Sequence, residues 1–151
     1  MIRTLNEREQ KSILKNNYIG NLAYIFKEKP FIVPITYFYD EKNNVIMGYS
    51  SEGHKITAMR RHKNVCLNVS EIESVNTWKS IKVQGTYLEL TEGEATAQLH
   101  EFSLGVKDLI IKKEHRKLDF ISEFSSKIYK GNLPIVFQIK IEEITGKMRK
   151  H

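Results

Sequence analysis

Two hydroxyls, a glycine and a lysine lie close together in the segment YSSEGHK at residues 49–55. An apolar, β-favouring run precedes this segment and a helical pattern follows it, so we expect it to join a strand to a helix. The first turn of a helix has unpaired N–H groups and a partial positive charge, which suit a phosphate. Ser50 and Ser51 would donate hydrogen bonds to phosphate oxygens. Gly53 would let a ligand approach the backbone, and Lys55 would place its ammonium on the same anion. The alternative is that Ser51 only caps the helix and that Lys55 is solvated.

The length and composition of the chain indicate one domain over residues 1–151. Its 40% hydrophobic and 28% charged residues are typical of a globular protein. No apolar run approaches the ~20 residues that span a bilayer, which argues against membrane insertion. The charged N-terminal segment lacks the apolar stretch of a secretory signal. The lone Cys66, which we expect in the core, excludes an internal disulfide and fits the reducing cytoplasm.

The formal net charge of +6 leaves two classes of partner open, nucleic acid and a polyanionic cofactor. The densest basic segments contain no interleaved aromatic residues that could stack on bases. These segments are residues 60–63, 112–117 and 147–150. We therefore favour a bound anionic cofactor over nucleic acid. The five histidines have no partner at a metal-ligand spacing, so no metal site is predicted.

Hydrophobic patterning predicts a small antiparallel barrel, mainly β or α+β. The expected strands are residues 18–26, 31–39, 45–49, 65–69, 78–90 and 135–141, and the expected helices are residues 5–15, 52–61, 91–102, 106–117 and 118–129. Pro34 predicts an edge strand or a bulge, and Gly85 predicts a bend. Gly105 is interpreted as a helix break. Residues 71–77 are expected to form a loop, residues 131–132 a turn, and residues 145–151 a polar tail.

Six motifs follow one another along nearly the whole chain. They are IGNLA at residues 19–23, VPITY at 33–37, GYSSEGHKI at 48–56, NVCLNV at 64–69, WKSIKVQG at 78–85 and FQIKIEEITGK at 137–147. Their order and spacing resemble the FMN-binding split-barrel proteins related to pyridoxamine 5′-phosphate oxidase. Within that family the chain is most similar to the nitroimidazole-resistance-like flavoproteins.

This resemblance implies a six-stranded antiparallel split barrel that acts as a homodimer, with FMN at the subunit interface. By the same resemblance, Lys55 neutralises the FMN phosphate, and Ser50 and Ser51 donate to it. The strand backbone of Pro34, Ile35 and Thr36 faces the flavin ring, and Trp78 and Ser80 approach the ring or the ribityl chain. A core or interface position is the alternative for Trp78.

Tyr49 is a departure from the resembling subgroup, which often has a histidine at this position. A phenol does not serve as a general base near neutral pH, so nitroreductase chemistry does not carry over directly. We expect Tyr49 at the entrance of the cofactor cleft; the alternative is a tyrosine that packs against the sheet. A second departure is Lys79, which replaces an arginine and loses a bidentate fork.

The leading functional hypothesis is an FMN-dependent oxidoreductase that acts on a small molecule, nitroreductase-like or pyridoxamine 5′-phosphate oxidase-like. No residue is assigned as its acid or base. The second hypothesis is a non-catalytic protein that stores or senses flavin, since a fold does not guarantee catalysis. The third is the same barrel used for haem or nucleic acid.

Overall fold

Three helices and eight strands make up the described part of the chain. The computed structural model describes residues 1–114 and 134–150. The helices are α1 (Glu7–Asn16), α2 (His54–Arg61) and α3 (Glu92–Glu114). The strands are β1 (Ile2–Thr4), β2 (Ile19–Phe26), β3 (Lys29–Thr36), β4 (Phe38–Asp40), β5 (Val45–Ser50), β6 (Asn64–Ser74), β7 (Thr77–Leu90) and β8 (Ile135–Arg149).

All strand pairs are antiparallel and belong to one sheet, with the order β3-β2-β6-β7-β8-β5-β4 and β1 beside β8. The two ends of this order, β3 and β4, are separated only by Tyr37, so the sheet returns on itself as a barrel. The prediction of six strands was two short. One predicted strand divides at Tyr37, and β1 was not foreseen. The antiparallel α+β barrel itself is confirmed.

The barrel core consists of the inward-facing residues of alternating strands. In β6 the buried Val65, Leu67 and Val69 alternate with less buried residues, as the two-residue period of a strand requires. Helix α1 packs Ile13 and Leu14 into the same core. It begins at Glu7 and not at residue 5 as predicted, because the side chain of Asn6 accepts from the Glu9 N–H and the Glu9 carboxylate accepts from the Asn6 N–H, which is a capping box.

Helix α3 covers the outside of β5 and β8 with a second apolar cluster. Leu99 and Phe102 of the helix pack there with Met47 and Val136. The prediction of a helix break at Gly105 was wrong, because α3 continues from Glu92 to Glu114. A glycine stands at this position because the Phe38 ring lies against the helix: a Cβ would be 2.2 Å from its Cε1 atom. Packing explains this glycine better than helix termination does.

Two predicted boundaries of the long strands were also wrong. Residues 71–77 are not a loop, because β6 continues to Ser74 and a tight hairpin pairs Ser74 with Thr77. The polar tail from residue 145 belongs to β8, which pairs with β1 and β7 as far as Arg149. Both segments contain many charged residues and therefore resemble loops in the sequence, but one face of an antiparallel strand can be exposed to solvent and carry such residues. Cys66 is half-buried on that outer face and not in the core as expected.

The two special strand positions agree with the predictions. Pro34 lies on β3, which pairs only with β2 among the described strands and is therefore an edge strand, where proline is tolerated. At Gly85 the register between β7 and β8 shifts, and a Cβ there would be 2.5 Å from the Lys140 carbonyl oxygen. The predicted helix over residues 118–129 and turn at 131–132 lie outside the described residues. No helix among those described is long and apolar enough to cross a membrane.

Candidate functional site

The residues predicted to face the flavin ring lie where the barrel splits. Strands β4 and β5 pair over three positions and end with the pair Phe38–Met47. Ile35 lies three residues before Phe38, and Ser50 lies three residues after Met47. At these positions β3 pairs only with β2 among the described strands. Residues 34–36 and residues 49–51 therefore lie on two strand segments that do not pair with each other, and we call the place between these segments the slot. The two groups of predicted site residues thus continue the two strands of the β4–β5 pair beyond its last position.

The start of α2 lies directly after the slot and provides hydrogen-bond donors. The first intrahelical bond runs from the Thr57 N–H to the Gly53 carbonyl, so the preceding N–H groups have no intrahelical partner. A Cβ at Gly53 would meet nothing within 4 Å, which leaves open space before these donors. The helix begins at His54 and not at residue 52 as predicted, and Ser51 does not cap it. The buried Ser50 hydroxyl donates to the Ser51 carbonyl at 2.9 Å.

Two cations near α2 remain available for an anion, and one does not. Arg60 donates to Glu89 at 2.8 and 3.0 Å and to Glu52 at 2.9 and 3.1 Å, so its charge is already matched. Lys55 is half-buried and makes no hydrogen bond or ion pair with the residues that the structure describes. Arg61 lies over the ring of Phe26. The donor set with Lys55 therefore fits a phosphate group at the end of the slot.

Ser80 lies on the outer face of the barrel in a small polar network. The Asn68 side-chain amide donates to the Ser80 hydroxyl at 2.9 Å and to the Ile81 carbonyl at 3.0 Å. The Ser70 hydroxyl lies 2.8 Å from that of Ser80. The same face carries Pro34, because cross-strand pairs connect β3, β2, β6 and β7 in one row.

Trp78 lies on this outer face but far from the slot. The row that begins at Pro34 runs through Asn21 and Asn68 and ends at Lys82, four residues beyond Trp78 on β7. With strands ~4.8 Å apart and a rise of ~3.3 Å per residue, Trp78 is roughly 15–20 Å from Pro34. One chain therefore does not bring Trp78 to the slot. Trp78 instead lines a cavity of about 590 Å³ together with charged residues of β1, α1, β6 and β8.

Tyr49 points away from Ser50, because successive side chains of a strand face opposite sides. Its ring packs edge-on against Phe102 of α3, with 5.0 Å between the ring centroids. Burial raises the pKa of the Tyr49 phenol above its ordinary value. This position favours the alternative given above, a tyrosine that packs against the sheet.

Sequence reasoning missed a cluster of four rings, Tyr24, Phe26, Phe31 and His54, which we call the aromatic cluster. Tyr24 and Phe31 are cross-strand partners and stack at 5.7 Å. The His54 ring lies edge-on to Phe26 and Phe31, at 4.7 and 4.8 Å between centroids. The Tyr24 hydroxyl is 2.9 Å from His54 Nδ1. The only sequence signal was the aromatic alternation on one face of the β2–β3 hairpin. Among the described residues no group of three potential metal ligands occurs.

Comparison with known proteins decides the family. The sequence model of the pyridoxamine 5′-phosphate oxidase family matches residues 6–148. The chain belongs to this family. Nearly every described element of the barrel falls within the match, so the resemblance inferred from the motifs is confirmed.

Members of the family and related structures agree with this assignment. An uncharacterized protein of Rhizobium meliloti (strain 1021) is 29% identical over 148 residues, which are 97% of this chain and 94% of that protein. An FAD-binding protein from Mesorhizobium loti has a crystal structure with 25% identity and a TM-score of 0.76, over 100% of this chain and 98% of that one. A candidate 5-nitroimidazole antibiotic resistance protein from Bacteroides thetaiotaomicron shares the fold at 16% identity and a TM-score of 0.68, over 98% and 89% of the two chains. Together with the family match, the Mesorhizobium loti structure supports a flavin-binding protein.

Proposed function

We propose that this chain binds the FMN unit of a flavin in the slot, with the terminal phosphate at the start of α2. The observation that carries the proposal is the half-buried Lys55, which has no anionic partner among the described residues and adjoins open helix N–H groups. A lone half-buried ammonium is costly without a counterion, and a phosphate would supply one. FMN and FAD both contain this unit, and the name of the Mesorhizobium loti relative makes FAD a candidate beside FMN.

We further propose a homodimer in which each flavin site takes residues from both chains. The support is the distance between Trp78 and Pro34 within one chain, which is too large for one flavin ring to contact both residues. A two-fold interface makes two equivalent clefts and would bring Trp78 and Ser80 of one chain to the slot of the other. Exposed apolar residues on the outer face provide contact surface, among them Ile19, Ile32 and Ile72.

Within this proposal the protein is a cytoplasmic oxidoreductase that acts on a small molecule at the flavin ring. The bound flavin would supply the redox chemistry, whereas the chain binds it, shapes its surroundings and controls access. The second candidate function is a flavin carrier or sensor without turnover. One observation favours it: Tyr49, which replaces the subgroup's usual histidine, is half-buried against Phe102, and burial raises its pKa so that it keeps its proton.

The binding proposal is tested by titrating ligand-free protein with FMN and following the quenching of flavin fluorescence. We expect saturation at one FMN per chain. A failure of FMN, FAD and riboflavin to bind would contradict the proposal. Steady-state turnover with NADH or NADPH and a nitroaromatic or quinone acceptor then separates the two functions: an oxidoreductase turns over, whereas a carrier only binds.

A further inference from the structure

The aromatic cluster presents two of its rings to solvent instead of burying them all. Phe31 is 38% exposed and His54 is exposed, whereas Tyr24 is only 7% exposed. The buried Tyr24 contacts the His54 ring at Nδ1, and His54 Nε2 has no hydrogen-bond partner among the described residues. Such a surface suits a planar aromatic ligand, because exposed rings offer both stacking and edge contacts.

Two cations flank the cluster and have no anionic partner among the described residues. The Lys27 ammonium lies 5.5 Å from the centroid of the Phe26 ring, and the Arg61 guanidinium carbon lies 5.9 Å from it. The neighbouring Arg60, in contrast, is matched by two carboxylates. A planar ligand that also carries negative charge would therefore find both kinds of contact here.

The β2–β3 turn has two non-glycine residues in a conformation that favours glycine or asparagine. Lys27 and Glu28 connect β2 to β3 with φ angles of 50° and 65°. Both lie in the left-handed region, which Asn-Gly serves with less strain in a two-residue hairpin. The two residues used here place an ammonium at the ring cluster, which glycine would not do.

The aromatic cluster adjoins the residue to which we assign the flavin phosphate. His54 belongs to the cluster, and Lys55 is the next residue, so their Cα atoms are ~3.8 Å apart. FMN ends at the phosphate that we assign to Lys55. FAD continues from that phosphate with a second phosphate, a ribose and an adenine, which is a planar aromatic group behind a negative charge.

We propose that the aromatic cluster, with Lys27 and Arg61, binds the adenylate half of FAD, so that FAD is the preferred flavin of this chain. Lys27 and Arg61 match the second phosphate, and the exposed rings of Phe31 and His54 contact the adenine. This inference rests on the flavin site proposed above.

The experiment titrates ligand-free protein separately with FAD and FMN. We expect the wild-type chain to bind FAD on the order of tenfold or more tightly than FMN, as base stacking with a charge contact implies. The double variant Lys27→Gln/Arg61→Gln and the variant Phe31→Ala should each lower FAD affinity on the order of tenfold, with FMN affinity unchanged. The matched controls are Lys42→Gln, an exposed loop lysine, and Leu88→Ala, whose side chain is 41% exposed on β7; both should leave the ratio of the two affinities unchanged.

The possible outcomes distinguish failure of the adenylate site from failure of the flavin site. If FMN binds as tightly as FAD, or if the variants weaken both flavins equally, the adenylate site is refuted while the flavin site stands. If neither flavin binds, both are refuted. The double variant replaces two exposed side chains, so it decides the question even if Phe31→Ala does not fold.

Discussion

Phe38 and Met47 form the last pair of the β4–β5 ladder. The predicted flavin-binding residues begin two residues beyond this pair, at Thr36 on one strand and at Tyr49 on the other. Residues 34–36 and 49–51 therefore do not pair with each other, and the second of these segments leads to the start of α2. Most of the candidate site follows from this one interruption in strand pairing. Lys55 is the residue of this site that we propose binds the flavin phosphate.

Replacing Lys55 with Ala should weaken FMN binding roughly 10- to 150-fold, because a charge-assisted hydrogen bond contributes about 1.5–3 kcal/mol. Riboflavin, which lacks the phosphate, should bind the variant and the wild type alike. Parallel fluorescence titrations measure both ligands, with Lys42→Ala as the control for loss of a lysine. Equal losses for FMN and riboflavin would show that Lys55 acts on the fold and not on the phosphate.

The protein should be a homodimer in solution, with sites built from both chains. Light scattering should give twice the chain mass. Lys55→Ala and Trp78→Ala homodimers should each bind FMN weakly, because every site lacks one contact. A hybrid dimer of the two variants, isolated with two different affinity tags, should regain one intact site and bind FMN tightly at half the wild-type stoichiometry. A monomer that binds FMN at full strength, or a hybrid as weak as its parents, contradicts shared sites.

Tyr49→Phe should leave FMN bound and shift the flavin spectrum or potential only modestly. The Tyr49 ring packs against Phe102, and its raised pKa keeps the phenol protonated through neutral pH. Because a raised pKa moves ionisation to higher pH, this group should cause no change in binding between pH 6 and 9. The measurements are FMN affinity across that range and the potential of the bound flavin. Loss of turnover in Tyr49→Phe at full FMN occupancy would instead identify it as an acid or base.

Gly105→Ala should lower the free energy of unfolding by about 1–3 kcal/mol, because the new methyl group would overlap the Phe38 ring. Gly93→Ala on the same helix is the matched control, since a Cβ there meets nothing within 4 Å. It should be neutral or stabilise by up to about 1 kcal/mol, owing to the helix propensity of alanine. Urea unfolding of both variants tests this. An unchanged Gly105→Ala would mean that Phe38 readily moves aside.

The sequence was informative where local chemistry decides the structure. The edge position of Pro34 and the irregularity at Gly85 each depend on a few neighbouring residues, and both were predicted correctly. The errors arose where distant contacts decide. Gly105 resembles a helix break until Phe38 is known to lie against it, and residues 71–77 resemble a loop until their long-range strand partners are known.

The same distinction applies to the candidate site. The segment at residues 49–55 could be identified from its residue types, because hydroxyls, glycine and lysine at a helix start have a direct chemical meaning. The orientation of Tyr49 could not be predicted, since it depends on packing against Phe102 of α3, which is distant in sequence. The aromatic cluster was missed because a hairpin and a helix bring its four rings together.

The most direct test of the central claim is the visible spectrum of the purified protein, followed by analysis of the flavin released on denaturation. The account predicts a yellow protein with a flavin spectrum, or a colourless one that acquires this spectrum when FMN or FAD is added. A haem Soret band without flavin, or a protein that takes up neither flavin, would contradict it.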